Sequence, residues 1–250
     1  MEQSINWQIA IIKDIKPETW RVKTITLALP NWVKHKAGQH YDVRLTAADG
    51  YQAQRSYSIA SQPERKGQVD LTIEKIEDGE VSSYLYDVLL PGDRLEVRGP
   101  IGGYFVWETS REDPLMLIAA GSGIVPLMAM IRQRETCGSK APARLLYSSR
   151  TYEDIIYRAE LDQLNAQGDG LTVFHTLTRE QPARWRGYAR RIDEQMLAET
   201  VRPLGDSVQV FVCGPTLLVE SVADSLVHLG IPASRIRTER FGPTGQTKGL

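Results

Sequence analysis

The chain has 250 residues, of which 42% are apolar and 24% are charged, and its formal net charge is -1. This length allows one large domain or two of ordinary size, and the composition is that of a globular protein. The near-neutral net charge excludes a global basic field of the kind that binds nucleic acid.

The two cysteines, Cys137 and Cys213, exclude a disulfide framework and are too few for an iron–sulfur cluster held by cysteines alone. The four histidines lie far apart in the sequence, except for His35 and His40, and they do not have the spacing of zinc ligands. We therefore predict no metal site and interpret all four histidines as structural or surface residues.

No targeting or membrane segment is expected. Residues Met1–Asn6 have neither the basic nor the apolar run of a signal peptide. The uncharged stretch Pro114–Ile131 is interrupted by glycines and by Pro126, whereas a membrane span needs about 20 apolar residues. A buried strand followed by a buried helix explains this stretch better, and we expect a cytoplasmic protein.

The first hundred residues contain short segments with strand-like composition or alternation, separated by turns. The predicted strands are Trp7–Lys13, Val22–Leu29, Tyr41–Leu45, Gln54–Ala60, Val69–Lys75 and Arg94–Arg98. One helix is predicted over Ser82–Leu89, and Pro91–Asp93 forms the turn into the last strand. Six strands with one helix predict a small antiparallel β-barrel.

A polar linker, Ser110–Pro114, precedes a second half in which apolar strands alternate with helical patterns. The predicted strands are Leu115–Ala119, Arg144–Ser148, Leu171–Leu177, Val208–Val212 and Ile236–Glu239. The predicted helices are Ile124–Arg134, Tyr157–Asn165, Ile192–Val201 and Pro215–Leu229. This alternation predicts a doubly wound α/β domain with a five-stranded parallel sheet. We expect domains at 1–108 and 115–250, with a mobile Gly-rich end over Gly242–Leu250.

Two glycine-containing helix starts are suited to phosphate binding. Gly121 and Gly123 form a tight turn between a buried strand and a helix, which lets the backbone approach a pyrophosphate. Pro126 stands where the dinucleotide-binding fingerprint has its third glycine. Gly79 and Ser82 open another helix in the first half. The alternatives are a plain strand–helix turn and an ordinary helix cap.

Two further motifs combine charge or sulfur with a strand. In Arg-Ser-Tyr-Ser, Arg55–Ser58, an arginine can pair with a phosphate, and Tyr57 on the same strand face can stack on a flavin. The alternative is a partly exposed strand. In Cys-Gly-Pro, Cys213–Pro215, a buried strand ends at the carboxyl edge of the parallel sheet, where ligands bind. A lone buried cysteine is nevertheless more often a packing residue.

The motifs Arg-x-Tyr-Ser, Gly-x-Val-Ser-x-x-Leu, Gly-x-Gly-x-x-Pro and Cys-Gly-Pro occur in this order between residues 55 and 215. In order and spacing they resemble the ferredoxin–NADP reductase superfamily, and the resemblance covers nearly the whole chain. It implies that the barrel binds FAD and that the α/β domain binds a nicotinamide nucleotide. The cysteine content implies a stand-alone reductase without the iron–sulfur domain of some relatives.

The resemblance implies one set of residues for FAD. This set is Arg55, Ser56, Tyr57, Ser58, Gly79, Val81, Ser82 and Phe241. Arg55 and the helix start would hold the pyrophosphate, and Tyr57 would stack on the isoalloxazine ring. Ser58 would form a hydrogen bond near flavin N5, the atom that accepts hydride. Phe241 lies where plant-type relatives have a terminal tyrosine, although here the chain continues beyond it.

The resemblance implies a second set of residues for the nicotinamide nucleotide. This set is Gly121, Gly123, Pro126, Arg150, Thr178, Arg179, Arg191, Cys213, Gly214 and Pro215. Cys213 would lie beside the nicotinamide ring and help to position it. Glu239, in the C-terminal acid-x-aromatic segment, would approach the flavin. Ser58, Cys213 and Glu239 are the implied catalytic residues.

Arginines favour NADPH over NADH as the nucleotide. Arg150 follows a predicted strand at a place where NADH enzymes often have an acid near the ribose. Thr178–Glu180 resembles the Ser-Arg-Glu of NADPH-dependent relatives, and Arg190 and Arg191 follow about a dozen residues later. The alternative is that these are solvated surface arginines.

We expect a reductase that takes hydride from NADPH and passes electrons through bound FAD to a separate acceptor. The expected acceptor is a ferredoxin, a flavodoxin, or an oxygenase or other metalloenzyme component. One alternative is a free-flavin reductase, against which the Val81–Ser83 helix start argues because a pyrophosphate needs a receptor. The other alternative is a non-catalytic flavin-binding redox subunit.

Overall fold

The computed structural model describes residues 5–110 and 112–242. Contacts divide the chain into two compact units. The first unit takes the described residues up to Glu112 together with Val125–Lys140 and Glu153–Arg158. The second takes Asp113–Ile124, Ala141–Tyr152 and the described residues from Ala159 onward. The units interleave along the chain, so the domain limits 1–108 and 115–250 remain a prediction.

The first unit contains a six-stranded antiparallel sheet. Its strands are β1 Trp7–Thr19, β2 Val22–Ala28, β3 His40–Thr46, β4 Gln52–Ser58, β5 Gln68–Glu74 and β6 Arg94–Ile101, in the order β4-β3-β6-β1-β2-β5. Beyond β4, Ile59 bridges to Leu71 of β5, and the Ala60 amide donates to the Asp70 carbonyl. These bonds join the two edge strands and close the sheet, which confirms the antiparallel barrel.

The core of the barrel fixes the single helix of the N-terminal half. Tyr41, Val43 and Val97 are fully buried on the strands. Helix α1, Glu80–Asp87, adds the buried side chains Val81 and Leu85 to the same core. Burying a large apolar side chain contributes about 1.5–3 kcal/mol, so these two residues hold the start of α1 against the sheet.

The limits of several barrel elements differ from the sequence prediction, including the end of β1 and the start of α1. Strand β1 continues past Lys13 to Thr19, because register shifts against β2 at Ile12/Asp14 and Pro17/Thr19 accommodate the polar residues and the proline. Helix α1 begins at Glu80 rather than Ser82, because Gly79 has extended backbone and occupies the N-cap.

The second half of the chain contains a five-stranded parallel sheet, as predicted. Its strands are β7 Leu115–Ala120, β8 Ala143–Ser149, β9 Leu171–Leu177, β10 Gln209–Pro215 and β11 Ile236–Phe241, in the order β11-β10-β7-β8-β9. The helices that alternate with them are α2 Ile124–Thr136, α3 Arg158–Ala166, α4 Glu194–Val201 and α5 Thr216–His228. The parallel α/β architecture is therefore confirmed.

The strand order creates a crevice at the carboxyl ends of the neighbouring strands β7 and β10. The chain runs outward from β7 to β8 and β9, then returns to the other side of β7 to form β10 and β11. Loops after β7 and β10 therefore leave in opposite directions at their carboxyl ends, which is where open α/β sheets bind ligands. Helices α4 and α5 pack buried apolar residues, including Met196 and Val219, against Val212 and its neighbours.

Strand β10 is longer than predicted and includes the Cys-Gly-Pro motif. Cys213 pairs with Glu239 and Pro215 pairs with Phe241, because β11 also extends to Phe241. The strand was predicted to end at Val212, with the Cys-Gly-Pro motif at its carboxyl end, so its end was placed three residues too early. Helix α4 begins at Glu194 rather than Ile192, because the Asp193 carboxylate caps it by accepting a hydrogen bond from the Met196 amide at 2.8 Å.

No helix in residues 5–110 and 112–242 has the length and apolar character to cross a membrane. The stretch Pro114–Ile131 forms β7 and most of α2, as the sequence interpretation expected. The mobile end predicted over Gly242–Leu250 lies, apart from Gly242, outside the described residues.

Candidate functional site

Arg55 and the start of α1 lie close together in the first unit. Arg55 is exposed on β4, and its guanidinium donates to the Gln54 carbonyl at 2.6 Å. The Tyr51 hydroxyl donates to the carboxylate of Glu80, the first residue of α1, at 3.2 Å. This bond raises the pKa of Tyr51, and the nearby charge of Arg55 opposes the rise. An exposed arginine and a helix N-terminus are thus neighbours.

The start of α1 is shaped by Gly79. A Cβ at this position would lie 2.4 Å from Ser82 Oγ and 3.0 Å from the Ile76 carbonyl oxygen, so only glycine fits. The Ser82 hydroxyl donates to the Gly79 carbonyl at 3.3 Å and accepts from the Ile76 amide at 3.2 Å. Ser82 therefore stabilises the turn, and the Val81 side chain is buried in the barrel core.

The backbone of this turn fits a pyrophosphate better than its side chains do. No side chain among the described residues caps the N-terminus of α1, which leaves its first amides to an external acceptor. These amides carry the positive end of the helix dipole, and Arg55 lies beside them. Together they can hold the pyrophosphate of FAD, which riboflavin lacks.

The Arg-Ser-Tyr-Ser side chains divide between two environments. Tyr57 is half-buried against the barrel core, and burial raises its pKa to about 12, so its hydroxyl stays neutral. The Ser56 hydroxyl donates to Asp42 at 2.7 Å, and that carboxylate also pairs with Arg98 at 2.6 Å. The Ser56 side chain is thus engaged within the sheet, and its assignment to FAD stays a prediction.

His40, which the sequence led us to expect as a structural or surface residue, lies beside Ser58. His40 is the direct partner of Ser58 in the β3–β4 ladder, so the two side chains share one face of the sheet. Burial lowers the pKa of the half-buried His40, which makes it a neutral imidazole at neutral pH. The sequence contains no spacing signal for this pair, because the residues are brought together by strand register.

The loop after β7 packs closely on β10 in the second unit. A Cβ at Gly123 would lie 2.1 Å from the Cys213 carbonyl oxygen, so glycine is required for this approach. Gly121 has φ +55°, and its carbonyl accepts a hydrogen bond from the buried Tyr147 hydroxyl at 3.0 Å. The glycine loop and the cysteine motif therefore share the crevice where the strand order reverses. Pro126, in α2, belongs by its contacts to the first unit.

Cys213 and Glu239 are neighbours on β10 and β11. Burial, with a smaller contribution from Glu239, raises the pKa of the Cys213 thiol, which is therefore uncharged. Burial also raises the pKa of Glu239 to about 7. One Glu239 carboxylate oxygen is buried without a hydrogen-bond partner in the described part of the chain. An orphaned carboxyl that titrates near neutral pH is typical of a functional site.

Three arginines flank the carboxyl ends of β8 and β9. Arg150 follows β8, and its carbonyl accepts from the amide of Arg179, just after β9, at 2.9 Å. Thr178 donates its hydroxyl to the Ser149 carbonyl at 3.3 Å and fixes this junction. Arg150, Arg179 and Arg191 are exposed, and none forms an ion pair within residues 5–110 and 112–242. They are free to bind an anion.

The third arginine is placed by the segment that runs beside β9. Tyr188 bridges Thr176 in parallel, and the Thr176 hydroxyl donates to the Arg190 carbonyl. The Arg190 guanidinium binds Asp193, the cap of α4, at 2.5 Å. Arg190 is therefore engaged, which leaves Arg191 as the available member of this pair.

The remaining cysteines and histidines do not form a metal centre in the described ranges, where no group of three or more possible ligands is close enough. Cys137 is exposed and Cys213 is buried, and both are free thiols. His35 is buried and bonds through Nε2 to the Ser61 carbonyl at 2.9 Å, which is a structural role.

Two family models match the chain in succession. Residues 10–106 match the oxidoreductase FAD-binding domain, and residues 117–224 match the oxidoreductase NAD-binding domain.

Curated relatives resemble most of the chain. It is 34% identical over 211 residues to ferredoxin–NADP reductase B of Sorangium cellulosum, which covers 82% of this chain and 85% of that protein. It is 31% identical over 230 residues to the glycine betaine monooxygenase reductase subunit of Pseudomonas aeruginosa, covering 91% of this chain. The chain spans 62% of the length of that reductase subunit.

A solved structure shares the fold. The flavohem-like FAD/NAD-binding domain of nitric oxide dioxygenase from Vibrio cholerae superposes with a TM-score of 0.84, at 24% identity. The match covers 94% of this chain and 99% of that domain. At this identity the likeness establishes the architecture alone.

Proposed function

The chain belongs to the ferredoxin–NADP reductase superfamily, and on this premise we propose that it oxidises NADPH and passes the electrons through bound FAD to a separate acceptor. The observation that carries the proposal is the position of exposed Arg55 beside the uncapped N-terminus of α1. A charged arginine and free backbone amides form a receptor for the FAD pyrophosphate, which a protein that only turns over free flavin does not need.

The barrel residues hold and orient FAD in this proposal. Arg55 and the amides after Gly79 bind the pyrophosphate, and the ring of Tyr57 covers one face of the isoalloxazine. Ser58 offers a hydroxyl to flavin N5, with the neutral His40 as its cross-strand neighbour. Bound FAD accepts a pair of electrons from a reduced nicotinamide and can release them one at a time.

The residues at the crevice of the parallel sheet position the nicotinamide. The thiol of Cys213 stays protonated and supplies a compact, uncharged surface for the ring. The Glu239 carboxyl titrates near neutral pH, and one of its oxygens has no hydrogen-bond partner among the described residues, so it can accept a hydrogen bond from the nucleotide or donate one to it. Positioning the reacting atoms is the main contribution of such groups.

Arg150, Arg179 and Arg191 recognise the 2′-phosphate of NADPH. Each is exposed and free of ion pairs within the described residues, so binding the phosphate breaks no internal contact. Charge-assisted hydrogen bonds to phosphate are about twice as strong as neutral ones. NADH lacks this phosphate and gains nothing from the three arginines.

The acceptor in this proposal is a separate redox protein, namely a ferredoxin, a flavodoxin or the metal-containing component of an oxygenase. The names of two relatives, a ferredoxin–NADP reductase and a monooxygenase reductase subunit, support this class of acceptor. NADPH donates two electrons together, whereas acceptors of this class take up one electron at a time. FAD can mediate between the two because it accepts a pair of electrons and releases them singly.

The visible spectrum of the purified protein under anaerobic conditions tests the proposal. We expect a flavin absorption band that NADPH bleaches faster than NADH does. A colourless protein that reduces added flavin would instead identify a free-flavin reductase. A band that neither nucleotide bleaches would identify a non-catalytic flavin-binding subunit.

A further inference from the structure

An acid stands at the start of α1, where the proposed function places the FAD pyrophosphate. Glu80 is exposed and directly follows Gly79. The helix dipole favours a carboxylate at this end. A phosphate bound to the same amides would be repelled by that carboxylate, and Arg55 would be an attractive partner for either anion.

The hydroxyl of Tyr51 stands close to both charges. It donates to Glu80 Oε2 at 3.2 Å, and the charge of Arg55 is near enough to act on the pKa of this phenol. Arg55 itself makes no ion pair with Glu80 or with any other described residue, and its guanidinium donates to the Gln54 carbonyl. The carboxylate of Glu80 is thus bonded to Tyr51, and the guanidinium of Arg55 has no ion-pair partner among the described residues.

The backbone of Tyr51 is held by hydrogen bonds although the residue is 57% exposed. Its amide donates to the Asp49 carboxylate at 3.0 Å, and its carbonyl accepts from the Ala47 amide at 2.9 Å. These bonds fix the turn between β3 and β4. The phenol is thus presented from a defined backbone position and not from a free loop.

We propose that Tyr51 is a positioning residue of the FAD site, which holds the Glu80 carboxylate away from Arg55 and leaves the guanidinium to the pyrophosphate. This inference rests on the proposed function. Without the hydroxyl, Glu80 pairs with Arg55, and FAD binding must break that pair. Exposed ion pairs are weak, so we expect about a two- to fivefold increase in the FAD dissociation constant.

The proposed effect of the Tyr51 hydroxyl on FAD binding requires a negative charge on Glu80. Glu80→Gln keeps the size of the side chain but cannot form an ion pair with Arg55. FAD should bind at least as tightly to this variant as to the wild type, because the repulsion of the phosphate is also removed. In this background the loss of the Tyr51 hydroxyl should have no further effect.

The experiment uses holoprotein of the wild type, Tyr51→Phe, Glu80→Gln and the double variant. Each is diluted in series, and the fluorescence of the released FAD gives the dissociation constant at low and at high salt. Tyr84→Phe is the matched control, because it removes another exposed phenol hydroxyl, on α1 itself.

We expect Tyr51→Phe to bind FAD about two- to fivefold more weakly at low salt, with a smaller loss at high salt, where ion pairs are screened. The double variant should match Glu80→Gln, and Tyr84→Phe should match the wild type. An unchanged constant for Tyr51→Phe, or an equal loss with and without Glu80, would overturn the inference alone. Wild-type protein that binds no FAD would contradict the proposed function as well.

Discussion

Arg55 is an exposed side chain whose guanidinium contacts a backbone carbonyl, so its truncation should leave the barrel intact. We expect Arg55→Ala to weaken FAD binding roughly ten- to hundredfold, since a hydrogen bond to a charged group contributes about 1.5–3 kcal/mol. The FAD content of the purified variant and its dissociation constant are the measurements. Arg94→Ala, at another exposed arginine of the barrel, is the control, and full FAD occupancy of Arg55→Ala would remove Arg55 from the site.

Arg179 permits a test of nucleotide choice at a single residue. Arg179→Ala should raise the KM for NADPH roughly tenfold or more and leave the KM for NADH nearly unchanged, because only NADPH carries the 2′-phosphate. Steady-state kinetics with both nucleotides measure this difference. Arg202→Ala, another exposed arginine, should change neither value. Equal effects of Arg179→Ala on both nucleotides would discard the phosphate assignment.

The raised pKa of Glu239 predicts that the free energy of unfolding falls as the pH rises. Its pKa is raised from 4.5 to about 7 in the folded protein, so between these values the folded state binds more protons than the unfolded state. Proton binding by Glu239 therefore contributes its full stabilisation of the folded state below pH 4.5, and this stabilisation is lost as the pH rises through 7. At about 1.4 kcal/mol for each pKa unit, the loss is at most about 3.5 kcal/mol above pH 7.

Glu239→Gln should remove this dependence. Urea unfolding at pH 5 and at pH 8 measures the free energy of unfolding of both proteins. We expect the wild type to lose more stability than the variant between the two pH values, by up to about 3 kcal/mol. Identical slopes for the two proteins would show that Glu239 does not carry a raised pKa.

At the scale of elements, the loop between β7 and α2 depends on close backbone packing. Gly123→Ala would place a Cβ 2.1 Å from the Cys213 carbonyl oxygen, and that neighbour is backbone of a buried strand that cannot easily move. We expect a fall of about 2 kcal/mol or more in the free energy of unfolding, as for other overpacked sites, and weaker nucleotide binding.

Gly103→Ala is the matched control for this glycine. No atom lies within 4 Å of a Cβ built there, and its φ is not in the left-handed region. Thermal unfolding of both variants and NADPH titration are the measurements. If Gly123→Ala is as stable as Gly103→Ala, the close contact with β10 is not what requires a glycine.

Elements were predicted from sequence where the signal is local. The strands of both sheets follow from apolar alternation or apolar runs, and the Asp193 cap of α4 has a recognisable residue type although the helix was predicted from Ile192. The extension of β1 past Lys13 could not be predicted, because its bulges arise from pairing with β2. The same holds for Gly214 and Pro215, which extend β10 by pairing with β11, whereas Cys213 pairs with both β7 and β11.

At the scale of the whole molecule, the proposed function predicts which flavin restores activity. After removal of FAD, NADPH-dependent reduction of the one-electron acceptor ferricyanide should stop, and FAD should restore it at stoichiometric amounts. Riboflavin should not, because it lacks the pyrophosphate that the proposed function assigns to Arg55 and the start of α1. Two ferricyanide ions should be reduced for each NADPH, since each accepts one electron.

If riboflavin restored ferricyanide reduction at the same concentration as FAD does, the proposed function would be contradicted. It would mean that the isoalloxazine ring alone is recognised, as expected for an enzyme that uses flavin as a substrate. The Arg55→Ala protein is a useful comparison, because its discrimination between FAD and riboflavin should be smaller than that of the wild type.

The sequence by itself determined the type and order of the elements, the two sheet architectures and the four motifs that indicate the superfamily, because periodicity and turn chemistry act over a few residues. Only the tertiary structure decided the strand order, the position of Glu239 beside Cys213 and that of His40 opposite Ser58, because these follow from strand pairing between distant segments. It also decided that Arg190 pairs with Asp193, the cap of α4, while Arg191 makes no ion pair with any other residue in the described ranges.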